Sequence, residues 1–282
     1  MQKSFDIDGP AEIDVRLAAG DIEVDPSLDG RIEVELIAHD EESQRLVDEA
    51  RVELHDRHLT VNVPNKRGSG FSFALVFGRQ GITCRIRCPR ESGLAVRSKS
   101  ADVIAHGTLG GLNVTTASGD VQVDRVTGGV NVKSASGDVS ANEVGDAANI
   151  QTASGDITIQ VVRGPVNVAT ASGDLSIGEA YDNVSANTVS GDQDHGAVMR
   201  GNVTAHSVSG DVSIAVRRGS KVFLDCNTIS GDTRSDLELT TEAPAGDGPL
   251  VEVRAKTVSG DIHITRAPAP ANDNNSAQEV HA

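Results

Sequence analysis

The apolar residues in the middle of this chain come in pairs two positions apart. Val121/Val123, Val139/Ala141, Ile157/Ile159 and Leu175/Ile177 form one series, and Val130/Val132, Ala148/Ile150, Val166/Val168 and Val184/Ala186 form a second, interleaved with the first. A spacing of two is the period of a strand with one face buried and the other in water. Glycines and prolines between the pairs, as in Gly128-Gly129 and Gly164-Pro165, read as turns. No helical period is present in this region, so the pattern predicts short strands in close succession.

The strands are set by a repeat. Ser-Gly-Asp occurs eight times, with its aspartates at Asp120, Asp138, Asp156, Asp174, Asp192, Asp211, Asp232 and Asp261, at intervals of 18, 18, 18, 18, 19, 21 and 29 residues. Ser100-Ala101-Asp102 is a degenerate copy 18 residues before the first. A fixed period of this length with two or three strands per copy predicts an all-β chain folded as a single β-solenoid, one coil per copy, each coil stacked on the last at roughly 4.8 Å. An antiparallel sandwich competes, but it does not require a constant phase over so many copies. In a regular stack the longer final intervals bulge out as loops at Arg217–Lys221 and around Thr240–Pro249.

Residues 1–90 lack the strict repeat but keep strand alternation, as in Ile13/Val15/Leu17 and Ile32/Val34/Leu36, and Ala19-Gly20-Asp21-Ile22 echoes the later turn. They predict an irregular β portion capping the solenoid, with one short helix over Asp40–Val52. The solenoid itself is assigned to 91–266. The Pro/Ala/Asn-rich stretch 267–282 is expected to be a disordered tail.

Composition narrows the function classes. Aromatic residues are 2% of the 282, with five Phe, one Tyr and no Trp, so the interior must be aliphatic and narrow. A net charge of -16 excludes the dense basic stripe that nucleic-acid binding needs. No apolar run approaches a membrane span, and the opening MQKSFDIDGP carries charge where a signal peptide needs an apolar stretch. The expected location is therefore cytoplasmic. Three cysteines are too few for a disulfide framework.

The opening run Phe5–Val24, the Cys88-Pro89-Arg90 leading into the repeats and the Ser-Gly-Asp coils together resemble the bacterial adhesin-like β-helix family, catalogued as a domain of unknown function. The resemblance spans about residues 1–266. It implies a right-handed β-helix and an envelope- or stress-associated interaction module, and it supplies no catalytic residues.

Candidate chemistry is sparse. The ladder Asp102, Asp120, Asp138, Asp156, Asp174, Asp192, Asp211, Asp232 and Asp261 could serve as a cation rail, but each carboxylate is expected to accept hydrogen bonds from its own turn, with glycine at positive φ supplying the angle. His55-Asp56-Arg57-His58 reads as a hairpin tip. Cys84, Cys88 and Cys226 read as small buried hydrophobes. A sugar-cleaving solenoid needs clustered acids beside aromatic platforms, and Tyr181 and Phe223 are the repeats' only aromatics. The outward columns are mostly Thr, Asn, Ser and Gln. Phe71, Phe73, Leu75 and Phe77, flanked by Lys66, Arg67 and Arg79, form a candidate interface in a 65–81 hairpin, for a protein partner or a membrane surface. The reading is a non-enzymatic interaction scaffold without metal or cofactor, with end-to-end self-association open to it. The alternative is a cation- or glycan-binding adhesin module that uses the Asp turns.

Overall fold

The computed structural model describes residues 1–65, 81–237 and 248–268. These form an all-β solenoid with one short helix. Each repeat contributes two strands on opposite sides of a flattened coil. The strand after Ser-Gly-Asp, such as Val139–Val144, lies in parallel register between Val121–Val126 and Ile157–Val162. The other, such as Ala148–Ser154, lies between Val130–Lys133 and Val166–Ser172. The register equals the repeat, so like residues stack on like. Val121, Val139, Ile157 and Leu175 make one continuous buried column. The interior is built mainly from such aliphatic columns, as the scarcity of aromatics requires, with one buried hydroxyl column that includes Thr152, Thr170 and Thr188.

Stacking begins before the strict repeat. Glu12–Asp25 runs parallel to Gly93–Leu109 along nearly its whole length, with Gly20 and Asp21 on Ala101 and Asp102. His58–Asn62 and Ile82–Arg87 complete the layer beneath it. There the direction changes: Arg51–His55 and Arg31–Ala38 pair antiparallel with those two strands, and Gln2–Asp6 pairs antiparallel with Arg31–Ala38. The helix covers Glu41–Asp48, capped by Asp40, whose carboxylate accepts the Ser43 amide at 2.7 Å. It ends short of Val52 because Arg51–His55 is taken by the sheet. His55 and His58 face each other across the two-residue turn of that hairpin.

The last two coils are not stacked in chain order. Gly201–His206 pairs with Leu250–Ser259, and Leu250–Ser259 then pairs with Lys221–Ser230. On the other side, Val212–Val216 pairs with Ile262–Arg266, which pairs with Thr233–Ser235. The coil that comes last in the chain is therefore inserted beneath the one that precedes it, and the expectation of sequential stacking is corrected, while most of the loop expected around Thr240–Pro249 lies outside the described residues. Composition explains the order. An inserted coil is covered on both sides, and Val251, Val253, Ala255, Ile262 and Ile264 are all fully buried. The outermost coil has one neighbour, and it places Thr233 and Ser235 opposite Ile262 and Ile264, in columns that are aliphatic in most other coils. The poorest core former occupies the end, where least core is lost.

Candidate functional site

The Asp ladder is continuous in space, ending in the order Asp192, Asp211, Asp261, Asp232. Its bonding differs from expectation. Each carboxylate Oδ1 accepts the backbone N–H of the aspartate one coil further on: Asp120 N–H donates to Asp102, Asp138 to Asp120 and Asp156 to Asp138, at 2.8–2.9 Å. The series continues through Asp174, Asp192, Asp211, Asp261 and Asp232. The acceptor is used between turns rather than within one, so the carboxylates tie coil to coil. The cause is the parallel register, which points each amide along the rod axis toward the preceding Asp.

All the ladder carboxylates are exposed. With one oxygen of each except the terminal Asp232 engaged by an amide, the column offers little of the six-to-eight-oxygen cage that calcium takes. The expected outcome is that millimolar calcium or a chelator leaves the melting temperature unchanged within error. A steep calcium-dependent rise in differential scanning fluorimetry would return the ladder to the list of cation sites.

The glycine beside each Asp has the expected backbone, with φ of 139° at Gly137 and 141° at Gly155. The first copy departs from this. Gly119 stacks on Ala101, which lies inside the continuous strand Gly93–Leu109, and Gly119 is not among the positive-φ glycines.

One coil breaks the aliphatic interior. Gln193 and His195 occupy the columns of Leu175 and Ile177 on one side and Val212 and Ile214 on the other, and both are 1% exposed. Gln193 Nε2 donates to Thr188 Oγ1 at 2.9 Å and to the His206 carbonyl at 2.8 Å. His195 Nε2 stands 3.5 Å from Gln193 Oε1, and its Nδ1 has no partner, nor has Ser207 Oγ. Burial holds the imidazole down to about 4, so it is neutral near pH 7.

Outside, the coils present in-register polar columns. Asn113, Asn131, Asn149 and Asn167 stack on one sheet, and Gln122, Ser140, Thr158 and Ser176 on the other. One outward column changes character along the rod. The residue before each Ser-Gly-Asp is alanine at Ala117, Ala135, Ala153 and Ala171, and then Val189, Val208, Val258 and Ile229 in spatial order. These four are 54%, 49%, 45% and 80% exposed. Four adjacent branched aliphatics at coil spacing make an exposed apolar stripe beside the turn ladder. Next to Val189 a shallow groove opens where Ala169 and Ala171 stand among the longer Gln151 and Asn187. The stripe was legible as a drift from Ala-Ser-Gly-Asp to Val-Ser-Gly-Asp or Ile-Ser-Gly-Asp, and sequence reasoning missed it.

The other candidates are quiet or out of view. Phe71, Phe73, Leu75 and Phe77 lie outside the described residues, as does most of the tail, 269–282. Burial pushes the Cys84 thiol up to about 12 and the Cys88 thiol to about 11, which leaves both unreactive. Cys226 is half-buried in the outermost coil. Tyr181 donates to Glu179 Oε2 at 3.0 Å and lies under the Arg163 guanidinium, far along the chain from Phe223. Among the described residues no group of three His, Cys, Asp or Glu side chains could hold a metal ion, and no helix is long and apolar enough to cross a membrane.

The stacked parallel coils with their Gly-Asp turns match one family model, Toastrack DUF4097, over residues 11–265. The chain belongs to the Toastrack DUF4097 family. Curated proteins give no significant match. Among solved structures, a "putative adhesin" from Bacteroides fragilis aligns with a TM-score of 0.51 at 16% identity, covering 94% of this chain and 96% of that one. A "putative adhesin" from Parabacteroides merdae gives 0.44 at 16% identity, covering 94% and 96%. A "putative lipid binding protein" from Parabacteroides distasonis gives 0.46 at 16% identity, covering 93% and 96%. The Bacteroides fragilis likeness shows a shared fold. The Toastrack family carries no assigned reaction, so function has to be argued from the surfaces just described.

Proposed function

We propose that this Toastrack rod is a non-enzymatic, adhesin-like interaction scaffold that holds a protein partner along the edge bearing Val189, Val208, Val258 and Ile229. The observation that carries this reading is the stripe itself. Most other outward columns carry amides, hydroxyls, charged groups and small alanines, whereas these four branched side chains stand together in water on one line. Contiguous exposed apolar surface rimmed by polar groups marks interaction sites. The Asn and Ser/Thr columns beside it offer hydrogen bonds at the spacing of a strand ladder, which suits a flat or extended partner. The word adhesin, used of the Bacteroides fragilis relative, is consistent with this role. The cation or glycan alternative loses support from the Asp ladder, where each coil-to-coil amide already uses a carboxylate oxygen.

The test is a photo-crosslinking residue at position 208, compared with one at Ser176 on the opposite sheet, in the native cells. A discrete protein adduct from 208 that disappears in a Val189→Lys/Val258→Lys background supports the reading. Equal labelling from both positions, or adducts that persist in the lysine background, contradict it. Both substitutions are on the wet face, so the unfolding free energy should change by no more than roughly 0.5 kcal/mol for each.

A further inference from the structure

We propose that the open end of the rod, Lys221–Ser235, is a dimer face that pairs with the same end of a second copy. Lys221–Ser230 is hydrogen-bonded on one side only, to Leu250–Ser259. Among the described residues nothing pairs with its outer edge. The strand is 10 residues long and lacks proline. Phe223 on it is 56% exposed and Ile229 80%. Its inward side chains Val222, Leu224 and Cys226 are only partly buried against the core, whereas Val251, Val253 and Ala255 one coil below are at 0%. A long edge of this kind presents a row of unpaired N–H and C=O groups and is a template for a further strand.

The two ends of the rod differ, and the difference selects the occupant. The other end finishes in two short antiparallel edge strands, Gln2–Asp6 and Arg51–His55, with Lys3 Nζ donating to the Val52 carbonyl. These are the usual devices against edge pairing. Head-to-tail growth is thereby disfavoured, and a two-fold contact between open ends remains, which closes on itself.

The strand is self-complementary in one register. Inward residues must oppose inward residues, since a one-residue slip would turn the half-buried face to water. A two-fold axis at Asp225 would set its carboxylate against that of the second copy. An axis at Cys226 avoids this and uses the whole span Val222–Ser230. It lays Phe223 over Ile229 of the second copy and Leu224 over Thr228, and sets Asp225 against Asn227. It also brings Lys221 to the turn bearing Asp232 of the second copy. Asp232 is the ladder's last carboxylate, and among the described residues no further coil amide reaches it. The apolar stripe that ends at Ile229 would then continue onto Phe223 of the other molecule.

The test measures the solution mass of the full chain by light scattering, together with disulfide formation under mild oxidation, since opposed residues on antiparallel strands lie within disulfide reach. The expected mass is twice 29.3 kDa. The expected crosslink is a disulfide joining Cys226 to Cys226, which face each other across the proposed axis, whereas Cys84 and Cys88 are enclosed within their own rod. Phe223→Lys/Ile229→Lys, which sets lysine against lysine on the outer face, should give a monomer. The crosslinking needs no substitution, so it decides the matter even if that variant folds poorly. A single-copy mass over the concentration range, which is what a segment of the same chain covering the edge would give, overturns the proposal. So does a dimer that yields no Cys226 crosslink. Val208→Lys should leave the mass unchanged, so this proposal and the scaffold reading can fail separately.

Discussion

Replacing Gly155 with alanine is expected to cost roughly 3–5 kcal/mol, enough to remove much of a domain's stability. Two effects combine. The backbone at Gly155 has φ 141°, a region that residues with a side chain enter at a cost of about 1–3 kcal/mol. A β-carbon there would also lie 2.2 Å from the Gly137 carbonyl oxygen and 2.8 Å from its carbon. Both are backbone atoms of the preceding coil, so no side chain can swing away. The coils would have to part, breaking the hydrogen bond from the Asp156 N–H to the Asp138 carboxylate that ties them. Gly219 provides the contrast. Its φ is 81°, but nothing lies within 4 Å of an added β-carbon, so Gly219→Ala should cost only about 1 kcal/mol. Urea melts of the two variants check this directly. Equal, small losses would mean that the stacked turns tolerate separation.

The second large effect is an acid-sensitive step owed to His195. Its folded value of about 4 lies well below the ordinary value of 6.5, because the imidazole is enclosed among aliphatic columns. Between those values the unfolded chain binds a proton that the folded chain refuses, so stability rises with pH across the window. It is fully present above about pH 6.5 and falls as pH drops toward 4, by on the order of 3 kcal/mol in all. His195→Leu should abolish this dependence and also remove a buried nitrogen without a partner. The gap between wild type and variant should therefore widen by about 2 kcal/mol from pH 7.5 to pH 5. Denaturant titrations at the two pH values measure it. A wild-type slope that survives in His195→Leu would place the titrating group elsewhere.

Much of the architecture could be read from spacing alone, because a parallel stack converts sequence period directly into register. An 18-residue phase fixes which residues share a column, and the alternation within Val139–Ala141 or Ile157–Ile159 fixes which of them face inward. Even the isolated Gly20-Asp21 could be recognised as part of a coil. The order of the last coils was harder, because period says which residues are equivalent and not which coil lies next to which. The information was present in Thr233 and Ser235, two polar residues at inward positions, which suit a coil with a single neighbour. Gln193 and His195 were overlooked for a related reason. A column reads as apolar from its majority, and the one polar layer shows only when each member is tested against its own neighbours. The stripe at Val189, Val208, Val258 and Ile229 depends on that same coil order, since Ile229 follows Val258 in space and precedes it in the chain.

Both the apolar stripe and the dimer face therefore rest on the insertion of the final coil, and a pair of engineered cysteines tests it most directly. In a Cys226→Ser background, Val208→Cys with Val258→Cys places thiols on adjacent coils, at the strand spacing of about 4.8 Å and within disulfide reach. Val208→Cys with Ile229→Cys places them two coils apart, beyond that reach. The account predicts an intramolecular disulfide under mild oxidation in the first pair and none in the second, read by non-reducing peptide mass spectrometry. A disulfide in the 208/229 pair and none in 208/258 would mean that the coils stack in chain order, and it would contradict the account.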